Sequence, residues 1–99
     1  MNNQNTEVTE SLISRYLKLT HMAREKATPV HDKGTNESKN LEIMMEMADS
    51  YASDAKWFVG QGDFVRAFGA INYAHAWIDC AVKIGLLDGH GDDDMFTLP

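Results

Sequence analysis

Cysteine is nearly absent from this chain. Cys80 stands alone in 99 residues, so no internal disulfide can form and nothing points to an oxidising compartment. Its place inside an apolar helical segment predicts a small buried hydrophobe. Basic clusters are missing as well: the nine Lys and Arg residues are scattered, their densest group (Arg24, Lys26, Lys33 and Lys39) spans a predicted loop, and the net charge is −6. Neutralising phosphates takes clustered cations, so nucleic-acid binding is not expected. Asn72, His75, Asp79 and Lys83 break the longest apolar stretch, and Met1 to Thr6 is polar and uncharged, so neither a membrane span nor a signal peptide is expected. The expectation is a soluble cytoplasmic protein. The chain also lacks a Gly-rich phosphate loop, a Cys pair, a nucleophile elbow and a His-Glu-x-x-His run. Gly60-Gln61-Gly62 is too short for a phosphate cradle and reads as a helix stop and turn. No cofactor, catalytic set or metal centre is expected.

What the chain does have is helical periodicity. At 43% hydrophobic it has the makings of one modest core. Val8, Leu12, Tyr16, Leu19 and Ala23 recur at steps of three and four, which predicts a first helix from Thr6 to Lys26 with Thr6 as its N-cap. Pro29 and Gly34 punctuate a loop from Thr28 to about Asn36. A second helix follows from Glu37 to Val59, carrying Leu41, Met44, Ala48, Tyr51, Ala55 and Phe58 at the same spacing. Asp63 is placed to cap a third helix, from Phe64 to Leu86, and the short connector forces helices two and three into an antiparallel hairpin. The predicted fold is all-α: an up-down-up three-helix bundle over residues 1–87 with well-matched helices, then a mobile acidic tail over 88–99. Asp88, Asp92, Asp93 and Asp94, interleaved with Gly89 and Gly91, favour solvation over packing.

Helix three is apolar around most of its circumference. At 100° per residue its polar side chains Asn72, His75, Asp79 and Lys83 gather on one narrow stripe, and Phe64, Ala67, Ile71, Ala74, Trp77, Ile78, Ala81 and Ile84 cover the rest. Such a helix must touch more than one neighbour, because a surface helix keeps a broad polar face. Ala48, Ala52 and Ala55 can face Ala67, Ala70, Ala74 and Ala81 across the hairpin and let the two backbones approach closely.

The run Tyr51, Asp54-Ala55, Phe58, Gly62-Asp63-Phe64, Arg66-Ala67-Phe68, Asn72-Tyr73-Ala74-His75-Ala76-Trp77-Ile78-Asp79 and Gly85 resembles the short archaeal proteins grouped as domain of unknown function family 357. The likeness covers helices two and three and is most specific at Asn72 to Asp79. It implies a small three-helix bundle of archaeal origin with no established activity.

Two functional expectations follow. The first is a protein–protein interaction or self-association module, a homodimer or a partner protein covering the excess apolar surface of helix three. The alternative is a small ligand-binding or catalytic bundle that uses Asn72, Tyr73, His75 and Asp79. His75 and Asp79 are four apart and share a helix face, and a carboxylate that orients an imidazole suits a general base or a metal ligand. A third ligand and a nucleophile are both missing beside them, so the pair is expected to form a structural polar seam against helix one. Arg66 and His75, nine positions apart, fall on opposite sides of an ideal helix, which argues against the Arg–His pair of HEPN-class ribonuclease-like domains. Arg66 is expected to pair with Asp63 or Asp54. His90 with Asp92, Asp93 and Asp94 could chelate a cation, but ordering that glycine-rich segment is costly.

Overall fold

The computed structural model describes residues 6–99 as three helices, α1 (Glu10–Lys26), α2 (Asn36–Gly60) and α3 (Phe64–Lys83), with two short strands, β1 (Thr28–Pro29) and β2 (Leu87–Asp88). Each helix starts on a side-chain oxygen that accepts from the backbone three residues on: Thr9 from Leu12, Thr35 from Ser38 and Asp63 from Arg66, all at 3.1 Å. These bonds satisfy donors that a helix start leaves free. Thr9, not Thr6, opens α1, and Glu10 then sets a carboxylate against the positive end of the helix dipole. As a result α1 has 17 residues against 25 in α2, so the helices are less evenly matched than expected.

The chain turns sharply between α2 and α3. Gly62, at φ +73°, donates to the Val59 carbonyl at 3.0 Å while Asp63 N–H donates to Phe58 at 2.9 Å, the two bonds by which a left-handed residue closes a helix. Asp63 both ends α2 and caps α3. The same pair of bonds, from Gly85 to Val82 and Leu86 to Ala81, stops α3 at Lys83, three residues before the expected end.

α2 and α3 form the expected hairpin. Ala48 and Ala55 from one helix and Ala67, Ala74 and Ala81 from the other are sealed from solvent, with Leu41, Met45, Ile71 and Ile78 filling the seam. α1 runs parallel to α3, since Tyr16 meets Phe68 edge-on at 5.2 Å and Thr20 meets His75 at 3.1 Å. It buries Ile13, Thr20 and Ala23, so its inward line is rotated from the Val8–Leu12–Tyr16 stripe. The physical reason is Thr20, whose hydroxyl has a partner and can face inward. α1 and α2 hardly touch, and Arg24 bridges them to Asp49 through two nitrogens at 2.9 and 3.2 Å. The bundle is opened and flattened to 50 × 30 × 16 Å, with α3 in the centre packed against both neighbours. This is the hub that the coating of helix three requires. Cys80 is exposed rather than buried, because it lies 120° around α3 from the core residue Ala74.

The acidic end, expected as a solvated tail, is docked. β2 pairs antiparallel with β1, with Thr28 opposite Asp88 and Pro29 opposite Leu87. Phe96 then folds back into the core cluster that holds Val82, Leu86 and Leu87. Gly89 makes room for it, since a Cβ there would stand 2.8 Å from the Phe96 ring. No helix among the described residues is long and apolar enough to cross a membrane.

Candidate functional site

α3 carries two contrasting flanks. On the α1 flank, His75 sits between a hydroxyl and a carbonyl: Nδ1 is 3.1 Å from Thr20 Oγ1 and Nε2 is 2.8 Å from the Met95 carbonyl. A carbonyl only accepts, so Nε2 carries the proton and, in the neutral ring, Nδ1 accepts from Thr20. One helical turn on, Asp79 accepts from the Thr97 backbone N–H, and Lys83 donates to the Leu98 carbonyl at 2.7 Å. Asp79 lies about 6 Å along the helix beyond His75 and meets Thr97, two residues beyond the Met95 that His75 holds, so successive turns of α3 grip successive points of the segment. The polar stripe is a ladder for the C-terminal segment.

The first rung is set by Asp92. Its carboxylate receives Lys26 Nζ at 2.7 Å and the backbone N–H groups of Asp94 and Met95 at 3.1 and 3.2 Å. The Lys26 ammonium holds this carboxyl below the usual Asp value of 3.8, and the two backbone donors act in the same direction. With Asp92 so engaged, Asp88 accepting from the His90 backbone N–H and the His90 ring bonded to Thr28 at 2.9 Å, the acidic end is anchored at these three residues, while Asp93 and Asp94 are exposed. Among the described residues no cluster of three His, Cys, Asp or Glu side chains could hold a metal ion.

The candidate ligand residues are thus divided. His75 and Asp79 both lie under the C-terminal segment, but each bonds its own partner there and no hydrogen bond joins the two. Asn72 Nδ2 turns back to the Phe68 carbonyl on its own helix at 2.9 Å. Tyr73 lies on the other flank, its ring edge-on to Tyr51 at 4.4 Å and to Trp77 at 6.2 Å. Arg66 pairs with Asp63 at 3.2 Å, one of the two expected partners.

That second flank, toward α2, is aromatic and open. Tyr51, Phe58 and Tyr73 line a shallow groove with Arg66, Gly69 and Ala70, and Trp57 extends it by packing edge-on to Phe58 at 5.4 Å. Trp77, edge-on to Tyr73, packs inward against the core, its buried indole N–H without an acceptor among the described residues. On the outermost strip of α3 the small residues Gly69, Ala76 and Cys80 are exposed. Spacing marks Tyr51, Trp57, Phe58, Phe68, Tyr73 and Trp77 as volume fillers of the bundle, and for Trp57, 62% exposed, that expectation fails. Trp57 lies about 180° from Ala48 on α2, a signal that was available. Thr20 was missed too; its spacing of seven from Ile13 places it on the buried line of α1.

Fold and surface together define a small, open helical bundle whose polar seam is internally satisfied and whose aromatic flank is uncovered. The chain belongs to the family described as Protein of unknown function (DUF357), whose model matches residues 15–87. That range takes in both flanks of α3 and leaves the segment docked on the polar stripe outside it. No curated protein and no solved structure matches the chain.

Proposed function

We propose that the protein is an interaction module that pairs with a second copy of itself through the outer flank of the α2–α3 hairpin. The observation that carries this reading is the exposure of Val65 at 72%, Trp57 at 62% and Tyr73 at 48%. Scattered apolar residues are normal on a surface, whereas here Trp57 packs on Phe58 and Tyr73 on Tyr51, and Tyr51, Phe58 and Tyr73 line one groove, a contact surface in waiting. Gly69, Ala76 and Cys80 alongside let another helix approach α3 closely, and a two-fold axis would let one patch serve both copies. The lone unpaired Cys80 and the resemblance to short archaeal proteins make an archaeal cytoplasm the setting we propose.

The test is sedimentation of the wild type beside a Trp57→Ser/Tyr73→Ser variant. The variant should sediment as a monomer with unchanged helical content while the wild type sediments as a dimer. Identical sedimentation of the two proteins contradicts the reading.

A further inference from the structure

We propose that the cleft between α1 and α2 binds a small amphipathic anion, an apolar body carrying one carboxylate or sulfonate. The cleft exists because α1 and α2 diverge over α3 and are bridged by Arg24 and Asp49. It encloses about 280 Å³, floored by Ile71 and Ile78 and walled by Leu17 on one side and Ala48 and Ala52 on the other. The two alanines keep it open, since a longer side chain at either position would fill it. An apolar hollow with a few polar groups at its mouth is the usual form of a small-molecule site.

The mouth selects the charge. Asp49 is already neutralised, with both of its oxygens bonded to Arg24, so it does not repel an anion. His21, also at the mouth, pairs with Glu25 at 3.2 Å. Lys56 has no ion-pair partner among the described residues, and its neighbours one turn away on α2, Ala52, Ser53, Val59 and Gly60, offer no carboxylate. Glu25 is not among the residues that line the cleft; those that do set Arg24 and Lys56 against Asp49 alone, one cation in excess in a chain of net charge −6. The bridge leaves Arg24 held in place and Lys56 free to swing onto a ligand headgroup. Ser53 and Lys56 stand on the side of α2 away from Tyr51 and Phe58, so the cleft and the aromatic flank are separate surfaces.

The experiment is a fluorescence titration with anilinonaphthalene sulfonate, followed by displacement with octanoate, octanol and octylammonium and by mapping of the octanoate site through NMR amide shifts. Saturable one-to-one binding is expected, with octanoate the strongest competitor and octylammonium the weakest. The shifts should centre on Leu17, Ala52 and Ile78. Lys56→Gln should weaken octanoate by roughly threefold to fivefold and leave octanol unchanged. Lys56 is exposed, so this variant keeps the fold. Ala52→Leu should abolish binding of all three while the helical signal persists. Absence of saturable binding, equal displacement by octanoate and octylammonium, or shifts centred on Trp57 and Tyr73 would each overturn the proposal.

Discussion

The two flanks of α3 face opposite demands and meet them in opposite ways. Toward α1, each polar group from His75 to Lys83 finds a partner inside the chain: Thr20 and Met95 for His75, Thr97 for Asp79, Leu98 for Lys83. Toward α2, large apolar side chains remain in water, Tyr73 at 48% and Trp57 at 62%. The difference separates side chains that the fold itself uses from side chains that the fold leaves uncovered. A polar residue on an apolar helix looks like chemistry, yet these are consumed by docking a segment of the same chain. An uncovered aromatic group has no such internal account.

Breaking the shared core should have the largest effect and should not distinguish the flanks. Ile78 is 1% exposed at the centre of both packings, and Ile78→Ala should cost about 3 kcal/mol in urea denaturation, the lost transfer energy plus the cavity left behind. Phe96→Ala acts on one flank alone. It should cost less than Ile78→Ala, because the C-terminal segment can undock by itself, and should remove amide protection from residues 94–98 while α2 and α3 keep theirs, which hydrogen exchange would show. His75→Ala should cost about 1–2 kcal/mol, because it strands the Met95 carbonyl and leaves the buried Thr20 hydroxyl without its partner.

Acid should loosen the same flank. The Asp92 carboxyl is held below its ordinary value of 3.8, chiefly by Lys26, so its contribution is present above that value and is lost as pH falls below it through the lowered one. Exchange at Met95 and Phe96 should therefore accelerate over that range, and Lys26→Met should weaken the pH dependence, leaving the part that the two backbone donors supply. The smallest effect on stability is expected on the other flank. Trp57→Ser should change the unfolding free energy by no more than about 0.5 kcal/mol while weakening association.

Much of this contrast was legible in the sequence. The hairpin follows from Gly62 and Asp63 together, a stop and a cap in adjacent positions, and the alanines on both helices announce close approach. The central place of α3 follows from its coating. The docked end was not legible, because Asp and Gly at 88–94 have the composition of solvated chain. Phe96 and the rungs at 95, 97 and 98 gain their meaning from where α3 presents a matching polar ladder. Long-range pairing of this kind has no local period. The exposure of Cys80 and Trp57 was obscured for a different reason: an apolar residue type shows what a position can bury, and the angular position on the helix decides whether anything is there to bury it.

Solution mass by light scattering behind size-exclusion chromatography, over a wide range of protein concentration, tests the central claim most directly. The account predicts a dimer that dissociates on dilution, with Trp57 fluorescence shifting to the red as its indole returns to water. A monomer at every concentration, with fluorescence unchanged, would contradict it.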